Sequence, residues 1–419
     1  MQEVPTVRVD RSLRRSLAAF GEDRLGWLDR AAALGPLSGL RFGPATVFVV
    51  TDPELARSVL VTDRAWSRPP SQRVPVALAV GENLFSASDR AWARSQPEIA
   101  PAFRRRALAA PLAGLDEILS EHVDAIPVGQ DIDLGAAMAR LAFVAAAWVV
   151  LGDRVDATRA DVLVAHQAHV VDWVGRRLGA LDGAIPVALG RPAQDMRAHR
   201  RVLEEYVDGA VARATRRDDA QPILVGARQA ASSSRHPARA LREHLLGLLL
   251  AGNETTAAAL SWLLVHAAAN PGEWRRLPAE PDRVRGFVAE TLRLSPPAWG
   301  VTRTPSHRPV ELVAGDASVR VRRPGVVTIY LRGIQRSERW WPDPLRFDPD
   351  RHAASGTGSA LLPFALGPRG CVGQHLALEE IAKVAGCLAT RDVLAHPVEE
   401  DASFALRPRG SLRGRFVPR

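Results

Sequence analysis

The longest helical pattern in the chain, Arg239 to Asn270, limits the fold more than any other feature. It follows Pro237 and stops before Pro271-Gly272, where helix start and stop signals belong. At roughly 1.5 Å per residue it is nearly 50 Å long. Leu245 to Leu250 and Ala257 to Val265 leave it apolar on most sides. A helix of that kind is either a membrane span or the centre of a large core. Asn253 and Glu254 stand at its middle, where lipid would make them costly. The pattern therefore predicts a buried central helix. A chain of 419 residues with 47% hydrophobic content can surround it.

The flanking segments predict a mainly α protein with small β-sheets, in one unit spanning residues 1–419. Helices are expected at Asp10–Ala33, Asp52–Val61, Arg90–Ala110, Leu112–Val123, Asp133–Leu151, Arg159–Leu178, Gln194–Thr215 and Pro281–Leu294. Arg41–Val50 reads as a strand or hairpin, and Val310–Val327 as a small sheet. Ser67–Ser88 shows no clear period and is expected to be a long loop. Trp340–His352 is expected to be ordered coil. A helix should follow Cys371 to about Thr390, and the tail from Ala405 should form a hairpin. Met1–Arg30 mixes charges throughout and lacks the apolar stretch of a signal peptide.

Net charge is +9, yet Lys383 is the only lysine. The arginines are scattered and accompany no nucleic-acid motif, which argues against nucleic-acid binding. Cys371 and Cys387 give neither a disulfide framework nor multi-cysteine zinc or iron–sulfur spacing. A reducing cytoplasm fits. The apolar segment holding Cys387 makes it a small core residue.

Three further stretches carry chemistry. Pro363 to Gly373 (P-F-A-L-G-P-R-G-C-V-G) is a glycine-dense loop ahead of a helix, so its backbone can approach a partner closely. A cysteine at a helix N-terminus tends towards the thiolate. Cys371 could be a nucleophile, a redox thiol or a metal ligand. Ala251-Gly252-Asn253-Glu254-Thr255-Thr256 interrupts the apolar central helix. An acid beside a hydroxyl there reads either as a proton path or as a locally satisfied bend. Glu290 and Arg293 share one helix face, an i,i+3 pair that Arg351 could join.

Together these residues resemble the cytochrome P450 family. Phe364, Gly367, Arg369, Cys371 and Gly373 match F-x-x-G-x-R-x-C-x-G, and Glu290 and Arg293 match E-x-x-R. Pro344, Phe347, Pro349 and Arg351 match the segment that follows, and Ala251–Thr256 matches A-G-x-[DE]-T-T. All four occur in the family's order along essentially the whole chain. The resemblance implies a P450 fold with its long central helix over haem b (iron protoporphyrin IX). Cys371 would be the thiolate ligand of the iron, with Phe364 and Gly373 beside the cofactor. Glu254 and Thr255 would deliver protons during O2 activation. Glu290, Arg293 and Arg351 would form a structural network behind the haem.

Haem carboxylates need cationic or N–H partners. Family position nominates Arg369, Arg303 and Trp92. The sequence departs from the family's W-x-x-x-R at Gln96, where arginine is usual, and Arg94 or a neighbour is the expected substitute. A second departure is Gln335, where a histidine often stands. Arg104, Arg105 and Arg106, expected on the same helix as Trp92, would border the face where an electron donor docks. Only 46 residues follow Gly373, too few for a fused reductase. Electrons are therefore expected from a separate donor such as a ferredoxin with its reductase.

The substrate pocket is nominated by family position alone: Ser67–Ser88, Val170–Leu178, Leu248–Thr255, Ala298–Thr302 and Ser403–Ala405. Trp173, Ala251, Trp299, Val301 and Phe404 are its candidate walls. The function implied is oxidation of an apolar or amphipathic small molecule in bacterial secondary metabolism, without nucleic acid or membrane. Alternatives are epoxidation, C–C or C–O coupling or nitration by the same oxidant, a peroxide-driven peroxygenase, and a non-catalytic protein of the same fold.

Overall fold

The computed structural model describes residues 3–62, 65–178, 191–217, 219–352 and 359–419. Helix Pro237–Ala269 runs unbroken through the middle, with Leu245, Leu260, Leu263 and Leu264 fully buried. Its closest neighbour is helix Leu134–Leu151, which is apolar nearly all round. Helices Arg105–Asp124, Ala157–Gly175, Arg191–Arg217, Pro222–Ser232 and Gln374–Leu388 complete this α-helical layer around one core.

A second layer is a six-stranded sheet in the order Thr6–Asp10, Leu37–Phe42, Ala45–Val50, Val326–Ile329, Val301–Pro305, Trp66–Ser67. Leu37–Phe42 and Ala45–Val50 form the expected hairpin, turning at Gly43, whose φ of 55° suits glycine. Ala45–Val50 then pairs parallel with Val326–Ile329, far along the chain. Asp52 caps helix Pro53–Val61 by accepting from the Leu55 N–H at 2.7 Å.

Four boundaries differ from the sequence reading. Asp10–Ala33 is two helices, Leu13–Glu22 and Arg24–Ala33, because Asp23 leaves the helical conformation and caps the second. The Ser67–Ser88 stretch contains helix Pro70–Val80. Its apolar residues point both ways, Val76, Ala79 and Val80 inward and Val74 and Leu78 outward, so no period was visible. Arg90–Ala110 is broken at Ala100–Phe103, not at Pro111. Arg104 is extended there and starts helix Arg105–Asp124, which contains Pro111; the three arginines thus lie beyond the helix of Trp92. The tail does not pair with itself. Leu406–Pro408 pairs with Glu400–Ala402, and Arg413–Val417 with Asp392–Ala395.

The turn after Pro70–Val80 docks directly on the central helix. Gly247 lets Asn83 lie against the helix backbone; a Cβ there would stand 2.4 Å from the Asn83 carboxamide carbon. Glu243 accepts from the Glu82 N–H at 3.1 Å. These contacts hold the turn that carries Leu84 and Phe85, which line the candidate site.

Candidate active site

The cysteine loop is shaped by its own backbone. The Cys371 N–H donates to Phe364 O at 3.0 Å, and the Gly370 N–H to Gly367 O at 2.9 Å. Gly367 has φ +73°, and a Cβ there would sit 2.2 Å from the Leu60 carbonyl oxygen. Only glycine satisfies both conditions. Helix Gln374–Leu388 begins directly after Gly373. Cys371 is exposed and lines a cavity. Burial pushes its thiol pKa up, and a hydrogen bond from the Gly373 backbone pulls the other way. Gly373 itself does not line the cavity; it acts through that N–H.

The cavity holds about 600 Å³ between the loop and the central helix. Cys371 and Phe364 form one side; Leu248, Ala251 and Thr255 form the other. The Thr255 hydroxyl donates to Ala251 O at 2.8 Å, the local back-bond expected of a helical threonine. Glu254 is next to it but faces away from the cavity lining. Its carboxylate lies 3.4 Å from Arg407, which also holds Asp172 at 2.8 Å and Asp401 at 3.2 Å. Burial raises the Glu254 pKa, and Arg407 opposes that rise. Arg407 was not a candidate from sequence. Its partners come from three separate elements, and no spacing signals such a meeting.

One edge of the cavity is cationic. Arg369 stacks 3.9 Å over the ring of Trp92 and donates to Asp89 at 2.6 Å. Arg303, 4% exposed and donating to Thr302 O at 3.1 Å, does not line this cavity; it lines an adjoining one. Gln96 and Trp92 both line the cavity. Arg94 does not; it is exposed, so it is not the substitute for an arginine at 96. The cation present instead is Arg68, from the stretch read as a loop. A lone cysteine facing the cavity, with guanidinium and indole N–H groups along one edge, fits an iron porphyrin with two carboxylates. Among the described residues, no group of three or more His, Cys, Asp or Glu could hold a metal ion by itself.

Behind the loop, Glu290 and Arg293 form a bidentate pair at 2.7 and 2.8 Å, both fully buried. Arg351 and His352 reach the same carboxylate at 3.0 and 2.8 Å. Arg293 also donates to the carbonyls of Gln335 and Pro344. Burial opposes ionisation of Glu290, but these donors outweigh it and hold its pKa at about 2. Gln335 has a definite task. Its amide nitrogen donates to Leu292 O and Arg293 O, while its oxygen accepts from the Leu362 N–H at 2.7 Å. It thus joins the Arg283–Leu294 helix to the irregular segment entering the cysteine loop.

A second cavity of about 250 Å³ adjoins the first, sharing Ala251, Thr255, Val301 and Arg68. Its walls include Phe42, Phe85, Trp299 and Phe404. Four of the five residues nominated as walls (Ala251, Trp299, Val301 and Phe404) line this second cavity. Trp173 lines neither cavity: it is buried at 2% exposure under the Arg177 guanidinium, 3.9 Å away. Its helix faces the core there, and only Leu178, past the helix end, reaches the site.

Among the described residues, two helices, Leu134–Leu151 and Pro237–Ala269, are long and apolar enough to cross a membrane; both are mostly buried within the protein.

Comparison with known proteins agrees with this geometry. A family model described as cytochrome P450 matches residues 28–388. The cyclooctat-9-en-7-ol 5-monooxygenase of Streptomyces melanosporofaciens is 25% identical over 88% of this chain and 84% of its own. Cyclooctatin synthase from the same organism is 27% identical over the same shares. A six-coordinated cytochrome P450 from Thermus thermophilus superposes with a TM-score of 0.75 at 21% identity, covering 98% of this chain and 99% of that one. That last likeness bears on the fold alone.

Proposed function

The chain belongs to the cytochrome P450 family and is a monooxygenase; from that premise we propose that it uses haem b to hydroxylate an apolar or amphipathic small molecule in bacterial secondary metabolism. The family works with haem iron, O2, a substrate and electrons from a redox partner. The observation that carries the reading is the pair of joined cavities. Cys371 and Thr255 face each other across the first, and aromatic side chains wall the second.

Cys371 would ligate the iron, and Trp92, Arg369 and Arg303 would hold the haem carboxylates. Bound there, the haem supplies activation of dioxygen, with its thiolate ligand favouring O–O cleavage. Thr255 holds a hydroxyl proton at the cavity wall and can pass it on by releasing Ala251 O. Glu254 is the acid that resupplies Thr255, reached by a turn of its side chain away from Arg407. Glu290, Arg293 and Arg351 hold the loop's support and touch no reacting atom. Phe85, Trp299 and Phe404 exclude water and orient an apolar substrate.

An unsaturated cyclic alcohol of the kind named for the Streptomyces relative suits these walls. The protein works in the cytoplasm with a ferredoxin-type donor, which docks on the exposed Arg104, Arg105 and Arg106. Two measurements test the assignment. The reduced protein with carbon monoxide must give the band of thiolate-ligated haem, and Cys371→Ala must abolish it. O2-driven turnover of a cyclic alkenol must add one oxygen atom, read from product mass. A band that survives Cys371→Ala refutes the reading.

A further inference from the structure

Arg24 takes the first position of helix Arg24–Ala33, just after the break at Asp23. Its guanidinium reaches two segments that are far apart in sequence. Nη1 donates to Ala402 O and to Ser403 O, the latter at 3.0 Å, and Nη2 donates to Leu178 O at 3.1 Å. Leu178 lies past the end of helix Ala157–Gly175, and residues 403–405 turn between strands Glu400–Ala402 and Leu406–Pro408. The two segments pack closely, since a Cβ at Gly175 would stand 3.2 Å from the Phe404 nitrogen. The Arg24 guanidinium carbon also lies 5.7 Å from the ring of Phe20 and 5.6 Å from that of Trp299.

Phe20, Leu178, Trp299, Ser403 and Phe404 all line the aromatic cavity, and none of them lines the cavity that Cys371 faces. Arg24 stands behind these walls, at the end of the joined space away from the cysteine. The hydrogen bonds of its guanidinium go to backbone carbonyls, and burial lowers its pKa against the pull of Asp401. A planar fork of donors can hold several carbonyls at once, which an ammonium or an apolar side chain cannot do. Without it, three carbonyls at the outer end of the cavity would lose a donor, and water would have to replace it.

We propose that Arg24 is a positioning residue that closes the outer end of the substrate cavity, and so sets how long a molecule the site accepts when one end of it lies at the iron. The inference rests on the haem-thiolate reading above. One guanidinium joins the tail of the Ala157–Gly175 helix to the 403–405 turn and backs two aromatic walls. Once it is removed, the two segments can part and a longer ligand can take the space between them.

Binding of 1-alkylimidazoles of increasing chain length to the holoprotein tests this. The free ring nitrogen binds the haem iron and shifts its main absorbance band, while the chain extends towards the outer wall. In wild type, each added methylene that finds apolar wall should tighten binding about fourfold, and the gain should stop where the chain meets the closed end. In Arg24→Met the gain should continue to longer chains, with affinity for 1-methylimidazole unchanged. Arg24→Lys keeps the charge without the fork, and its break should fall between the two. Hydrogen exchange over residues 402–406 should be faster in Arg24→Met than in wild type. A break at the same chain length in wild type and Arg24→Met overturns the proposal. So does a wild-type series with no break, or an equal weakening of every member in the variant, which would mark a general loss of structure. If Arg24→Met takes up no haem, the series on Arg24→Lys decides: a break at longer chains supports the proposal, and one at the wild-type length overturns it. In each overturning case, a thiolate-type carbon-monoxide band in the same protein shows that the haem-thiolate reading stands.

Discussion

Glu290 is completely enclosed, and four donors converge on its two oxygens: Arg293, Arg351, His352 and the Asp348 N–H. Removing one partner of such a pair leaves a buried charge unpaired. Glu290→Gln should cost about 3–5 kcal/mol of stability, read by denaturant unfolding. The sign of the pH dependence follows. The folded pKa of about 2 lies below the ordinary carboxylate value of 4.5, so this stabilisation is full above that value. It is lost as pH falls towards 2. Glu380 behaves in the opposite way. It is 4% exposed with an unpartnered Oε1, and burial raises its pKa from 4.5 to about 8. Ionising it costs more in the fold than in the open chain, so stability declines as pH rises from 4.5 to 8. Glu380→Gln should remove that decline and raise Tm most at pH 8. A Tm difference that does not grow with pH would contradict this. The Glu290–Arg293 pair was legible because both partners share one helix face three residues apart. Arg68 was not, because its neighbours Arg303 and Arg369 are more than two hundred residues away in sequence.

At the scale of elements, the cysteine loop fits only where the end of helix Pro53–Val61 leaves room. Gly367→Ala forces a left-handed conformation costing roughly 1–2 kcal/mol and drives a methyl group into the Leu60 carbonyl. The expected result is a lower holoprotein yield, measured as haem absorbance per chain, at nearly unchanged secondary structure. Arg407 links the central helix to the Ala157–Gly175 helix and to the Glu400–Ala402 strand through Glu254, Asp172 and Asp401. Arg407→Met removes the charge that opposes burial at Glu254. The Glu254 pKa should then rise further, moving the corresponding limb of the kcat–pH profile upward. An unchanged profile would separate Glu254 from proton delivery. The extent of the central helix was readable from hydrophobic pattern and flanking prolines. Helix Pro70–Val80 was not, since apolar residues on both sides of a helix erase its period.

For the whole molecule, the two layers meet at the candidate site. The α-helical layer brings the central helix, and the sheet brings Val301, Thr302 and Arg303. Arg104, Arg105 and Arg106 remain exposed at the start of helix Arg105–Asp124. If an acidic donor docks there, its reduction of the protein should slow as ionic strength rises. Arg105→Glu should slow it further at low salt, with the carbon-monoxide band unchanged. A reduction rate indifferent to both salt and charge reversal would place the donor elsewhere.

The sequence by itself determined the family, the glycine-rich cysteine loop, the Glu290–Arg293 pairing and the length of the central helix. Each is written in spacings of a few residues, where chain geometry alone decides which side chains share a turn or a face. The tertiary structure decided that Trp173 belongs to the core, that Glu254 is held by Arg407, and that Arg68 lines the same cavity as Gln96. Those outcomes depend on packing between distant segments. There, burial and charge select partners that no local spacing encodes.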